Sequence, residues 1–534
     1  MSNWMCWSKP LPADRSKAGA RASTRPAGLA VLTMAAMLSG CATSALDRAP
    51  AQPDRPWQPA TTSGGEIIPG ATPKSPAAAA PQGYVLPANP AAATMRAAPS
   101  IDPAHVYDLP ELIDIAEATN PETRIAWNEA RNAALAAGIA RSTYLPRITA
   151  SALGGYQTAH GHGSTLGIDT SQNLSATGSI SAVSLQWLLF DFGERSAIVE
   201  AVDQGTVIAD ILFTAAHQKL IHDVSIAFYA YSAARSRASS AARSLQDAQA
   251  VQLAAEDRSR HGIGTVIEVA QARQATAQAR LAQVQAEGAT QDASITLMAV
   301  MGIPPLTKLK IADVTGRTLS PAMQSSVEQI LSAALARRPD VLAAYAAQKA
   351  SLANVRAARA EFLPKFFVSA TGAYTTGGLD VTSIPSVGAS QPPTVNLSNR
   401  RLGATIVGGV TIPLYDGGTR DAALEQAKAR ADNAGLLLTR VKDEAVRQIV
   451  VADNALRTSL AAHDAANALL SAAQTTYDAT LAAYRHGVGS TTEVLAAERQ
   501  LLEARNAAAD VYSTALSAAA TLALATGSLG TAPQ

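Results

Sequence analysis

Apolar positions alternate along two stretches in the second half of the chain. From Phe366 to Tyr374 the even positions are apolar and the odd ones mostly small or polar. In the next stretch Leu402, Ala404, Ile406, Val410, Ile412 and Leu414 share one face. A period of two predicts strands whose two faces meet different environments. Arg147 to Tyr156 and Ser179 to Trp187 carry weaker versions of the pattern in the first half. Gly/Ser/Thr-rich segments at about 157–174 and 376–401 are expected loops between paired strands. Beyond the strands the period changes. Ile198, Val202, Gly205, Ala209, Leu212 and Ala216 step by fours and threes, as do Leu424, Ala427, Ala431, Ala434, Leu438 and Val441. Such seams predict helices that pack side by side.

Proline and glycine set the lengths. Between Gly193 and His261 lie 67 residues without proline, and another 67 lie between Gly418 and His486. At 1.5 Å per residue each would form a helix of about 100 Å. Return helices of 37 residues follow, Thr265 to Met301 and Ser490 to Thr526, each stopped by a glycine. Ahead of the strands, Leu109 to Thr143 and Val327 to Glu361 read as 35-residue helical stretches broken at Pro121 and Pro339. A short helix from above and another from below would together flank one long helix.

These elements are one unit written twice. Arg260-His261-Gly262-Ile263-Gly264-Thr265 returns 225 residues later as Arg485-His486-Gly487-Val488-Gly489-Ser490. Leu189-Phe190-Asp191-Phe192-Gly193 returns at the same offset as Leu414-Tyr415-Asp416-Gly417-Gly418. Asn120-Pro121 and Leu145-Pro146 match Arg338-Pro339 and Leu363-Pro364 at an offset of 218, so the second copy gains seven residues in its strand region. A repeated unit constrains the fold more than any single motif does. The expected divisions are 1–40, 41–105, a first repeat 106–302, a linker 303–326, a second repeat 327–527 and a tail 528–534.

Composition then excludes a thick core. Aromatic residues make up 4% of the chain and the seams are mostly alanine, which suits thin helices laid side by side. A net charge of +1, without a basic stripe, gives no sign of a nucleic-acid partner. At the N-terminus, Lys9, Arg15, Lys17, Arg21 and Arg25 precede the apolar run Ala27 to Leu38 and then Leu38-Ser39-Gly40-Cys41. The order reads as a secretory signal, too short to span a bilayer. Leu-Ser-Gly-Cys resembles the bacterial lipobox, which makes Cys41 the expected lipidated mature N-terminus. Ala42 gives no sign of an inner-membrane retention signal. Cys6 falls in the removed segment, so disulfides are not expected. Residues 42–105, rich in Ala, Pro, Gly and Ser, read as a tether.

No other segment reads as a membrane helix, so the strands are the membrane-capable part. Four strands cannot close a barrel alone, and lipid does not tolerate open edges. The chain is therefore expected to oligomerise. Two copies would give about eight strands and a plugged interior, three about 12 and a pore.

The duplication, the Asn-Pro and Leu-Pro pairs, Leu-Phe-Asp-Phe-Gly and Tyr484-Arg485-His486-Gly487-Val488-Gly489 together resemble the TolC-type outer membrane efflux family, in its lipidated subgroup, over about residues 105–530. The resemblance implies an α+β membrane fold. Three chains would form an outer-membrane β-barrel of about 12 strands, continued by a periplasmic α-helical coiled-coil barrel. The linker 303–326 and the C-terminal end would form a mixed equatorial belt. It also implies no catalysis and no cofactor. The chain would be the exit channel of a tripartite export system for small molecules. Its partners would be a periplasmic adaptor and an inner-membrane pump of RND or ABC type. Gly262, Ile263, Gly264, Thr265, Gly487, Val488, Gly489 and Ser490 would be the adaptor-contacting tips. Glu268 and Glu493 would line the closed periplasmic aperture. Two departures weaken that last match: Ala496 stands where several members have an aspartate, and Gly489 where some have an arginine.

Other readings stay open at this level. The same duct serves type I protein secretion and metal-ion efflux. A non-channel periplasmic coiled-coil lipoprotein would explain the heptads and the lipobox, but not the paired strands. His160 and His162 fall in an expected loop without a third metal ligand. His217 and His222 are five apart on a helix and do not share a face. His261 and His486 occupy equivalent turns. The Gly-x-Gly turns lack the features of a phosphate loop and are expected to supply turn geometry.

Overall fold

The structure is a computed structural model of the 534-residue chain. It describes residues 99–165, 168–314, 319, 327–377 and 402–530, with 53, 57, 59–69 and 85–94 nearer the N-terminus. The signal segment and Cys41 lie outside the described residues. The chain divides into two units, Met1–Ala97 and Ala98–Gln534. In the first, Thr61 bridges Ile67 around a short turn, and Thr62 Oγ1 accepts from Glu66 N at 3.1 Å.

The second unit repeats one series of elements. The first copy runs β1 (Val106–Tyr107), α1 (Leu109–Thr119), α2 (Pro121–Ser142), β2 (Arg147–Thr165), β3 (Ile168–Phe190), α3 (Glu194–Arg260) and α4 (Val266–Met301). After β4 (Lys310–Ile311) come α5 (Val327–Leu335), α6 (Pro339–Ala360), β5 (Lys365–Gly377), β6 (Leu402–Thr411), α7 (Thr419–Arg485) and α8 (Thr491–Ala525).

Local chemistry explains the boundaries. Asp108 and Glu111 form a capping box that starts α1. Asn120 ends α1 and starts α2, with Pro121 at the first helical position and Asn120 Oδ1 accepting from Glu122 N at 2.8 Å. Both long helices follow a glycine in the left-handed region, Gly193 at φ 97° and Gly418 at φ 87°. Helix α3 packs against α2 and α6 along one part and α4 and α8 along the other. Short helices thus flank a long one, as their lengths suggested.

The four long strands form one antiparallel sheet in the order β2-β3-β5-β6. It extends further than the sequence pattern implied. Of the segment 157–174, expected as a loop, the described residues 157–165 and 168–174 continue β2 and β3, with Thr165 paired to Ile168. His160 and His162 therefore belong to a strand. Their surroundings are Gly, Ser and Thr, so backbone pairing proceeds there without an apolar alternation to announce it. The counterpart 378–401 lies outside the described residues.

Register sorts the side chains onto two faces. Ile148, Ala150 and Ala152 stand beside Leu185, Val183 and Ser181; Trp187 pairs with Val368, Leu185 with Ala370 and Val183 with Gly372. Ala370 and Tyr374 oppose Ile406 and Leu402. The registered pairs named here carry no charged residue on this face, whose first charge in register is Asp169, opposite Ser164 at the far end of the hairpin; the face is open, with Ile406 at 78% exposure. The other face holds Thr149, Ser151, Ser184, Gln186, Ser369, Thr371 and Thr375, with Ile180 and Ala373 at 3% exposure among them. Apolar outside and hydroxylated inside is the pattern of a strand wall standing in lipid.

Burial along the helices is shallow and discontinuous. The largest cluster gathers Leu112, Leu220, Val224, Phe228, Leu297, Met301, Ile303 and Ile311. It includes Ile303 and Ile311 of the expected linker, with Leu309 and Val314 packed against it. Strand β4 pairs in parallel with β1, Arg235 Nη1 donates to Ile311 O at 2.8 Å, and Tyr512 Oη donates to Val314 O at 2.8 Å. One expectation needs correction. Helix α8 does contain a stretch long and apolar enough to cross a bilayer. Its alanines make it so, and they pack on α3 and α7 through Ala504, Leu516 and Ala518.

Candidate functional site

The two helical hairpins, α3–α4 and α7–α8, end in turns of the same build. His261 and His486 end the long helices, and Gly262 and Gly487 follow at φ 77° and 83°. That left-handed conformation strains any residue with a Cβ. Ile263 and Gly264 both donate to Arg258 O; Val488 and Gly489 both donate to Ala483 O. A Cβ on Gly264 would lie 2.9 Å from Ser259 N, and one on Gly489 3.0 Å from Tyr484 N. The first glycine of each turn is there for its φ, the second for want of space. Thr265 and Ser490 then cap the return helices, each Oγ accepting from the backbone of Glu268 or Glu493 at 3.2 Å.

The turns present apolar side chains to solvent. Ile263, Val266, Ile267 and Val488 are all largely exposed. None of the described residues covers them, and four large aliphatic residues at two adjoining turns are more than scattered surface apolar residues.

The turns are tied together by a residue the sequence gave no reason to single out. Arg258 Nη1 donates to Tyr484 O at 3.2 Å, and its guanidinium lies 5.0 Å from the centre of the Tyr484 ring. Tyr484 is buried in a cluster with Val251, Ala255, Ala272, Val494 and Leu501, which joins both hairpins. Arg258 and Tyr484 are 226 residues apart. No local pattern points to such a contact.

Glu268 and Glu493 occupy the same position, the third residue of a return helix. Their settings differ. Glu493 is exposed and closes a capping box, its Oε2 accepting from Ser490 N at 3.0 Å. Glu268 is half-buried, and its Oε2 has no hydrogen-bond partner. An acid in the first turn also complements the helix dipole.

His217, His222 and His261 do not converge. His217 Nδ1 lies 3.4 Å from Glu117 Oε1, and His222 Nδ1 lies 3.1 Å from Asp223 Oδ1. The Nδ1 of His261 contacts the Asp257 carbonyl at 2.8 Å. Among the described residues, no three His, Cys, Asp or Glu side chains gather as a metal would need.

An amphipathic strand wall, continued by helices of 67 residues, defines a class: a channel protein of the outer membrane with a helical duct. Residues 112–303 and 330–528 match the family described as outer membrane efflux protein. Protein CyaE of Bordetella pertussis is 30% identical over 428 residues, covering 78% of this chain and 85% of that one. Outer membrane protein OprJ of Pseudomonas aeruginosa is 24% identical over 399 residues, 73% of this chain and 78% of that one. The solved structure of outer membrane protein VceC from Vibrio cholerae superposes with a TM-score of 0.65 at 20% identity, covering 78% of this chain and 96% of that one. The chain belongs to the outer membrane efflux protein family. It is an outer-membrane channel component rather than an enzyme.

Proposed function

We propose that three copies of this chain assemble into an exit duct for small molecules, coupled through a periplasmic adaptor to an inner-membrane pump of RND or ABC type. The observation that carries the reading is the four-stranded sheet. Among the described residues of a single chain its outer strands β2 and β6 have unpaired edges, and its exposed face is apolar. Neither feature survives in lipid unless neighbouring copies complete a barrel. Four strands from each of three chains make a barrel of about 12, wide enough for a pore.

The exposed Ile263 and Val488 suit an apolar partner surface, which makes the two turns the adaptor-docking tips. Single-channel recording and an export assay test duct and docking together. Ile263→Asp with Val488→Asp should abolish export while detergent-resistant trimers and conductance persist. Normal export would remove the tips from the docking surface.

Two further assignments belong to the same reading. Glu268 and Glu493 line the periplasmic aperture, where six carboxylates in a trimer would favour cations. Glutamine at both positions keeps the caps, so only the charge is tested; unchanged cation selectivity would place the constriction elsewhere. Cys41 carries lipid, and labelled palmitate should enter the wild type but not Cys41→Ser.

A further inference from the structure

The seam between α3 and α8 is mostly apolar, with Val251, Ala255, Leu501 and Ala504 buried along it. One carboxylate interrupts it. Glu498 on α8 is 9% exposed, and its Oε1 accepts a hydrogen bond from Ser244 Oγ on α3, itself 2% exposed. Asp247, nearly one turn further along α3, pairs with Arg505 Nη1 at 3.2 Å. Arg505 Nη2 also donates to Gln474 Oε1 of α7 at 3.0 Å. Tyr477 of α7, whose buried hydroxyl has no partner, stands in the field of Asp247 and Glu498. Three helices from both hairpins thus meet at one polar cluster.

The charges at this cluster do not balance when every group is ionised. Arg505 is matched by Asp247. The cations acting on Glu498 are Arg505 and Arg499, both on its own helix, and neither forms an ion pair with it. Ionised Glu498 is then a buried charge held by one hydroxyl, with Asp247 repelling it. A buried charge in that position opposes close packing unless it is neutralised or reaches water. Burial accordingly raises the Glu498 pKa above the ordinary carboxylate value, and Asp247 raises it further, against the lowering pull of the Ser244 hydrogen bond and the arginines.

We propose that Glu498 is a proton-operated lock between the two hairpins. With a proton on Glu498, α8 packs flush against α3 and the hairpins hold together. When the proton leaves, the charge seeks water and the seam loosens above the tips, favouring the open duct. The cluster lies about two turns into α8 from its tip, so a small opening there moves the turn that carries Val488. The inference rests on the channel reading.

The test is conductance of the purified full-length protein in planar bilayers as pH is raised, with amide hydrogen exchange of residues 494–508 measured in parallel. Wild type should show a stepwise rise in both. Glu498→Gln, a neutral mimic of the protonated acid, should stay in the low-pH state throughout. Asp247→Asn removes the repelling charge and should move the midpoint to lower pH. Ser244→Ala removes the hydrogen bond that favours the ionised acid and should move it to higher pH. A purely structural role gives no opposed shifts. Because Asp247→Asn and Ser244→Ala keep Glu498, they decide the matter even if Glu498→Gln does not assemble. A conducting protein whose step is absent, or persists unchanged in Glu498→Gln, overturns the lock and leaves the channel standing. An exchange step that follows Glu498 in a protein without conductance keeps the lock and removes the channel reading.

Discussion

Arg338 is buried and engages all three guanidinium nitrogens: Nη1 donates to Ala525 O at 2.7 Å, Nε and Nη2 to Asp340, and Nη2 also to Gln448 Oε1 at 2.7 Å. It is the second-repeat counterpart of Asn120, whose Nδ2 donates to Val300 O at 2.7 Å. Two different side chains therefore do one job, closing the last carbonyls of a return helix against the start of a proline-led helix. Arg338→Ala would leave the buried end of α8 without the donor to the Ala525 carbonyl and leave Gln448 Oε1 without Arg338, while exposed Asp340 stays solvated, at a cost of about 1–2 kcal/mol. The expected result is a lower dissociation temperature for the trimer in detergent, with little recovery in Arg338→Lys, which lacks the planar fork. Glu498 should behave in the opposite sense. Its pKa is raised in the folded chain, so the native state binds more protons than the unfolded chain between the two pKa values. Stability is then fully present in acid and declines as pH rises through that window. Glu498→Gln should melt higher than wild type at neutral and alkaline pH, with the gap closing towards pH 4; thermal scans across that range check it. Neither role was legible in the sequence. The contacts join residues 187 and 254 apart, and a lone Glu on an alanine-rich helix looks like a solvated surface residue.

At the scale of elements, the helical part was legible because proline and glycine punctuate it and because it is written twice. The 67-residue helices α3 and α7 fall where the proline-free runs placed them, and Gly302 stops α4 at φ 74°. What the pattern left out is that a Cβ on Gly302 would lie 2.8 Å from Asn120 Cα, so this glycine also permits two helices to meet. The long β2–β3 hairpin was under-read for a physical reason. Its distal residues pair through backbone hydrogen bonds, which any sequence can make, and Gly, Ser and Thr there leave no period of two. The turns invite a graded test. Gly262 has open space around its Cβ position but a φ of 77°, whereas Gly264 has backbone 2.9 Å away. Gly262→Ala should cost about 1 kcal/mol and leave the turn in place. Gly264→Ala must displace the last turn of α3, so it should lose more export and unprotect more amides around residue 258. Equal effects at both positions would mean that the turn is softer than its geometry implies.

For the whole molecule, the deciding feature is the inversion of the sheet. In a water-soluble sheet the apolar face is covered and the polar face is wet. Here the apolar face is the open one, while the Ser/Thr face encloses buried Ile180 and Ala373. Adjacent residues on β6 can separate the two environments. Ile406 opposes Ala370 on the apolar face, and Thr405 opposes Thr371 on the other. An arginine facing lipid costs about 2–4 kcal/mol near the bilayer midplane, whereas one facing a polar lumen changes mainly what the pore admits. Each substitution would occur three times in a trimer and multiply the difference. Ile406→Arg should therefore sharply reduce the trimer recovered from outer membranes, and Thr405→Arg should leave recovery near wild type while lowering cation conductance. Both variants add the same charge to the same strand one residue apart, so a general intolerance of arginine would depress both alike. If recovery falls for Thr405→Arg and not for Ile406→Arg, the sheet faces lipid with its other side, and the hydroxylated wall is not the lining of the duct.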